Sequence, residues 1–170
     1  MGVATSARRV RRATPDDKRA VTAFLADWGA DLVARLGVLE DARRAPKVIA
    51  RDEGGQLAGV LSYLIAADEC GVLTLHAAVP GRGVGTALLE AVEAVAVASG
   101  RRRLWLVTTK GDTNALRFYQ RRGFRIVRVD PGAVDRARAT VKPSIPPVGD
   151  HGIPIRDEIL LEKRIGEGRG

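Results

Sequence analysis

Cysteine, histidine and aromatic residues are all scarce in this chain. Cys70 stands alone and cannot close an intrachain disulfide, and with His76 and His151 as the only histidines it cannot build the Cys/His cluster of a structural zinc site. A reduced, cytoplasmic setting with no metal is expected. Long apolar runs are missing too: the longest, Val60 to Ala67, is far short of the ~20 residues of a membrane span. The basic stretch Arg8, Arg9, Arg11, Arg12 leads into Thr14-Pro15-Asp16-Asp17 rather than an apolar signal core, so a soluble, non-exported protein without membrane contact is expected. Seven aromatic residues in all leave too few stacking platforms for single-stranded nucleic acid.

What is present is charge and glycine. Lys and Arg total 28 against 20 Asp and Glu, a formal charge of +8. Four of those cations precede residue 13, leaving 24 against 20 over the remaining 158 residues. A basic but ordinary solvated face is therefore expected rather than a nucleic-acid partner. At 170 residues the chain is read as one domain, long enough to bury roughly two thirds of its unfolded surface.

The apolar pattern predicts a short first strand at 8–13 and a helix capped by Thr14-Pro15-Asp16-Asp17 and carried by Val21, Phe24, Leu25 and Trp28. A second helix is predicted around Leu32, Val33, Leu36 and Leu39, closed by Pro46. Three antiparallel strands follow, at 47–51, 56–67 and the segment ending near Ala77. Beyond them come a helix from Gly83 to Ser99, a strand at 103–108, a helix at 112–122 stopped by Gly123, and a strand at 124–129. Residues 131–154 hold five prolines and are predicted mostly irregular, with a turn of helix near Asp135 to Arg138 and a length suggesting an active-site loop. Residues 155–165 are predicted as a closing edge strand and 166–170 as a frayed end. The fold class is α/β (α+β), with a mixed, mostly antiparallel sheet of about six to seven strands flanked by helices.

One segment concentrates chemistry. Val72-Leu73-Thr74-Leu75-His76-Ala77 runs through Gly81-Arg82-Gly83-Val84-Gly85-Thr86 directly into a helix. Glycines 81, 83 and 85 remove the Cβ atoms that would hold a ligand off the backbone and permit positive φ, while the helix directs free N–H groups at the same spot. A P-loop would need Gly-Lys-Ser/Thr, and no lysine is present. A dinucleotide fingerprint would need a βαβ unit, whereas antiparallel strands precede this turn. A glycine-rich connection with no ligand remains the bland alternative.

Pro80-Gly81-Arg82-Gly83-Val84-Gly85 resembles the Arg/Gln-x-x-Gly-x-Gly/Ala motif of the GNAT superfamily of acetyl-CoA-dependent N-acetyltransferases. A second element of that family, Asn-x-x-x-x-Tyr-x-x-x-Gly-Phe, is matched by Asn114, Tyr119, Gly123 and Phe124. The resemblance covers roughly residues 8–130. It departs at Pro80, where the family's Arg or Gln helps position a pyrophosphate; Arg82 and backbone amides are left to that task.

The resemblance implies acetyl-CoA as co-substrate and direct transfer to the amine of a small molecule or protein, without metal. A catalytically silent acyl-CoA-binding module is the alternative. Implied cofactor contacts are Leu75 and Ala77 on a strand that splays from its neighbour, then Gly81, Arg82, Gly83, Val84, Gly85 and Thr86, and Asn114, whose other reading is a helix cap. Tyr119, with an ordinary pKa near ~10, is the candidate general acid; its other reading is a tyrosine packed at a cleft edge. Arg121 and Arg122 are candidates for the coenzyme's 3′-phosphate. The acid that many family members carry before the turn falls on Gly71, so the base is left among Glu69, His76 and a water chain. The acceptor side is implied in residues 29–46, with Trp28 and Arg35, and in 131–154 with His151, Arg156, Asp157 and Glu158. A homodimer is compatible with the sequence, which does not address it.

Overall fold

Val60 and Leu61 are neighbours on one strand, yet they are fully buried in two different cores, and this alternation sets the architecture. The structure is a computed structural model that describes residues 9–166; the predicted frayed end lies outside these, apart from Gly166, as does Arg8. Among the described residues, seven strands form one sheet. In chain order they are β1 (Arg9–Arg12), β4 (Lys47–Arg51), β5 (Leu57–Ala66), β6 (Glu69–Ala77), β7 (Arg103–Thr109), β8 (Arg125–Asp130) and β9 (Glu158–Arg164), the numbers β2 and β3 belonging to a separate hairpin, Leu32–Arg35 and Val38–Asp41. Their spatial order is β1-β4-β5-β6-β7-β9-β8, and every pair except β6–β7 is antiparallel. The mixed, mostly antiparallel sheet agrees with the sequence reading.

Helices cover both faces. Helix α2 (Val84–Ala98) lays Val84, Leu88, Leu89, Val92 and Ala96 against Val48, Leu61, Val72, Leu104 and Leu161. Helix α3 (Thr113–Gln120) adds Tyr119 to this same core. On the opposite face α1 (Lys18–Asp27) buries Val21 and Leu25 with Ile49, Val60 and Leu73. Asp17, in a 3-10 turn ahead of α1, accepts from both nitrogens of Arg11 (2.7 and 3.0 Å), from Arg51 (2.8 Å) and from the Thr14 amide (2.8 Å). It pins the start of α1 to β1 and β4 through one buried carboxylate.

Three expectations are corrected. Residues 32–41 form the β2–β3 hairpin rather than a helix. Leu36 and Gly37 adopt φ of 49° and 76°, the backbone of a two-residue primed turn, and glycine disfavours a helix interior by ~1 kcal/mol. Strand β9 is not an edge: it lies between β7 and β8, with buried side chains on both faces, and β8 is the edge. The 131–154 stretch contains a full helix α4 (Ala133–Thr140). Arg138 on α4 gathers the chain after it, donating to the carbonyls of Ile145 (3.0 Å), Pro146 (3.0 Å) and Ile155 (2.9 Å). Gly149 packs against Gly111, whose carbonyl would lie 2.5 Å from a Cβ at 149.

Candidate active site

Strands β6 and β7 pair for three rungs only, Glu69–Arg103, Cys70–Leu104 and Gly71–Trp105, and then separate. Beyond them a cleft of about 690 Å³ opens through the sheet. A register shift at Ser62/Tyr63, where Leu73 stands unpaired, bends β6 away at the same level. On its other side β6 stays paired with β5 to Ala77. The amide of Ala78 donates to the Ala58 carbonyl (2.8 Å), which sets the phase of that ladder. His76 therefore bonds towards β5, and the N–H and C=O groups of Leu75 and Ala77 point into the gap.

The gap ends in the glycine turn. Gly81 and Gly83 have φ of 75° and 74°, and Gly83 is the N-cap of α2, so successive amides there face one concavity beside the helix N-terminus. Gly85 has a different reason to be glycine. A Cβ there would lie 3.1 Å from Phe118 Cζ, so its absence lets α3 approach α2. Arg122 locks this approach: its Nε and Nη2 donate to Thr86 Oγ1 at 2.9 and 2.5 Å, and its guanidinium stacks 3.6 Å from the Phe118 ring centroid. Pro80, Arg82 and Arg122 line the cleft here, so two guanidinium-bearing side chains border it beside the glycine turn.

Asp112 caps α3 by accepting from the Ala115 amide at 3.0 Å, which is the role the sequence left open for Asn114; Asn114 itself lines the cleft. Tyr119, 8% exposed, packs edge-on against Phe118 and Phe124 at 5.1 and 5.5 Å. Burial and the nearby Asp112 push its phenol well above the ordinary value, so it holds its proton. Leu75, Ala77, residues 81–86, Asn114 and Tyr119 all line this one cleft.

The base candidates part company. Glu69 is ion-paired with Arg103 and borders a separate recess of about 210 Å³ with Arg35 and Trp105, outside the cleft. His76 lines the cleft, with its ring stacked on Trp28 at 5.2 Å, and burial lowers its pKa so that it is neutral at pH 7. Of the expected acceptor-side segments, 29–46 contributes Leu32 and Val33 and 131–154 contributes Val134, Lys142 and Ile145 to the cleft, joined by Trp28 and Glu158, whereas Arg35, His151, Arg156 and Asp157 do not line it. Arg35 lies 4.4 Å over the Trp105 ring, and Asp157 accepts from the Gly132 amide and pairs with Lys110. Within 131–154 the sequence reading did not single out Lys142, whose ammonium donates to the carbonyls of Leu32 (2.5 Å) and Gly29 (3.4 Å) across the cleft. Its neighbour Pro143 hides it among loop residues. Among the described residues no group of three or more His, Cys, Asp or Glu is placed to hold a metal, and no helix is long and apolar enough to cross a membrane.

Residues 13–124 match the family described as Acetyltransferase (GNAT) family. The chain belongs to the GNAT acetyltransferase family. The uncharacterized protein YdhI of Bacillus subtilis (strain 168) is 38% identical over 149 residues, spanning 87% of this chain and 92% of the relative. Among solved structures, an IAA acetyltransferase from Bacillus cereus ATCC 14579 superposes with a TM-score of 0.67 at 20% identity, over 94% of this chain and all of that one. A GNAT family acetyltransferase from Elizabethkingia anophelis, solved with acetyl-CoA bound, gives 0.65 at 17% identity, over 93% and 98%. At these identities the superpositions speak for the GNAT fold. The family match ends at Phe124, so β8, α4 and β9 lie beyond it.

Proposed function

We propose that this protein transfers an acetyl group from acetyl-CoA directly to a primary amine. The observation that carries this reading is the break in β6–β7 pairing after Gly71–Trp105, which leaves backbone groups of Leu75 and Ala77 facing a gap that runs from the glycine turn to Tyr119. A pantetheine arm is an extended chain with two amides, and a strand edge with free N–H and C=O groups is its natural partner. The turn at Gly81, Gly83 and Gly85 supplies amides for the pyrophosphate, with Arg82 and Arg122 adding positive charge. In this reading a fixed amide of β6 polarises the thioester carbonyl, an interaction commonly worth a few kcal/mol. Thr86 and Asn114 border the same channel.

Tyr119 serves as the acid. A phenol with a raised pKa stays protonated and hands its proton to the departing thiolate, and the proton that the nitrogen sheds on becoming an amide restores it. The fully buried Cys70 needs no disulfide partner, in keeping with a cytoplasmic setting. Incubation with acetyl-CoA and a panel of amines, amino acids, aminoglycosides and peptides, followed by thiol release, tests the activity. Thiol release with at least one amine is expected. Tight coenzyme A binding with no turnover on any acceptor would instead mark a silent acyl-CoA-binding module.

A further inference from the structure

Two carboxylates line the cleft among the described residues, Asp112 and Glu158, and they differ in their commitments. That of Asp112 caps α3 on the Tyr119 side. Glu158, at the start of β9 and 5% exposed, accepts one hydrogen bond, from the Leu36 amide to Oε2 at 3.2 Å. It pairs with Thr109, at the end of β7 that has left β6.

Side-chain alternation fixes the face it occupies. Ile159 and Leu161 belong to the core under α2 and α3, together with Tyr119, so Glu158 points to the other face of the sheet, where the β2–β3 hairpin lies. Both Tyr119 and Glu158 nevertheless border the cleft, which reaches both faces through the β6–β7 gap. An acid on one side of a thioester and a proton acceptor on the other is the arrangement that acyl transfer to an ammonium requires.

Two polar bridges cross the acceptor end. Lys142 bridges from beyond α4 to the Gly29 and Leu32 carbonyls, and the Leu36 amide ties the hairpin turn to Glu158. Between these bridges the walls are apolar, from Trp28, Val33, Leu73, Val134 and Ile145. An apolar lining crossed by these two bridges suits a small molecule with an apolar body.

We propose that Glu158 receives the acceptor's ammonium group and takes up its proton, and that the acceptor is a small primary amine with an apolar body. This rests on the acetyl-transfer reading above. In the step, one N–H proton passes from the ammonium to the Glu158 carboxylate, and the freed nitrogen lone pair forms the C–N bond. The C–S bond breaks, sulfur takes the Tyr119 proton, and the nitrogen returns a proton to Tyr119 as the amide forms. Glu158 then releases its proton to solvent. The groups around Glu158 are the Leu36 amide and Arg35 from the hairpin, Asp130 and Arg128 from β8, and Arg136 from α4. Burial, and secondarily Asp130, raise its carboxyl above the ordinary value, against the Leu36 amide, Arg128 and Arg136, and a carboxylate so raised is a better proton acceptor.

The test compares wild type, Glu158→Gln and Glu158→Asp in thiol release with small arylalkyl and alkyl amines and with lysine peptides, from pH 5.5 to 9.5. Coenzyme A binding by calorimetry is measured alongside. The expected result is that E158Q binds coenzyme A as wild type does, loses roughly 10²- to 10³-fold in kcat/KM for the amine, and regains activity as rising pH supplies free amine. The acid limb of the wild-type profile shifts in E158D. E158Q activity within threefold of wild type with an unchanged profile overturns the role of Glu158. Should E158Q fail to bind coenzyme A, an unshifted acid limb in E158D overturns it instead. Peptides outperforming all small amines overturn the acceptor class. Failure of the underlying activity looks different, since wild type then turns over no amine at all.

Discussion

The indole of Trp105 stands where a side chain on Gly71 would have to go. A Cβ at Gly71 would meet Trp105 Cε2 and Cζ2 at 3.0 Å, and the two residues form the last rung of the β6–β7 ladder. The buried Arg35 lies over the indole, 4.4 Å from its centroid. The position on which the family resemblance would place an acid is thus filled from the neighbouring strand, and the rung that Trp105 braces is the one at which the strands part.

Gly71→Glu is accordingly expected to damage the fold rather than install a base. Overpacking of this kind costs about 1–3 kcal/mol, which for a chain of this size corresponds to a fall in Tm of roughly 3–10 °C. Thermal denaturation followed by circular dichroism checks it; an unchanged Tm together with raised turnover would show that the site accepts an acid after all.

Gly83 and Gly85 serve different ends, and alanine separates them. At φ of 74° an alanine at 83 is strained by about 1–2 kcal/mol, and relieving that strain shifts the turn's amides. Loss of one charge-assisted hydrogen bond, about 1.5 kcal/mol, raises KM for acetyl-CoA roughly tenfold with kcat little changed. At 85 the methyl meets Phe118, so Gly85→Ala is expected to displace α3 and with it Tyr119, lowering kcat as well. Steady-state kinetics with acetyl-CoA as the varied substrate distinguishes the two; equal effects on KM and kcat in both variants would refute the division.

Elements whose signals are local were legible in the sequence. Helices α2 and α3 announce themselves through the glycine turn, the Asp112 cap and the Gly123 stop, whereas Leu75, Ala77, Asn114 and Tyr119 entered as candidates through the family resemblance. Elements decided at long range were not. Leu32, Val33, Leu36 and Leu39 satisfy helical spacing as well as they satisfy a hairpin, and what selects the hairpin includes contacts with Val72, Trp105 and Glu158, far away in sequence. The interior place of β9 is likewise set by β8 joining it on the far side, which alternation within 155–165 does not encode. Glu158 was named for the acceptor side within the strand predicted at 155–165; that its carboxylate is buried beneath a hairpin was not legible.

Asp17 predicts an acid dependence of stability. Its hydrogen bonds to Arg11, and then to the Thr14 amide, Arg51 and the Thr14 hydroxyl, outweigh burial and hold its carboxyl far below the ordinary range. The unfolded chain has a carboxyl near ~3.9. The stabilisation is therefore complete above that value and is lost as pH falls through the native one. Asp17→Asn should cost about 2 kcal/mol at pH 7, allowing for the solvent exposure of Arg11. In urea titrations the gap between wild type and D17N should stay flat from about pH 8 to 5 and narrow below about pH 4. A gap that widens with acid would contradict this assignment.

Tyr119→Phe isolates the proton donor. The ring's packing against Phe118 and Phe124 needs no hydroxyl, so the variant should keep its Tm and its coenzyme A affinity. Without the proton the thiolate must leave as an anion into a largely apolar cleft, and turnover should drop by roughly 10²-fold or more, in kcat rather than in KM for acetyl-CoA. Because burial raises the phenol's pKa, its acid form persists through alkaline pH, and wild-type kcat should show no fall from this group up to about pH 10. Acetyl-CoA analogues whose thiols are stronger acids need less help to leave, so they should narrow the gap between Y119F and wild type. A gap independent of thiol acidity would show that the hydroxyl acts through position and not through its proton.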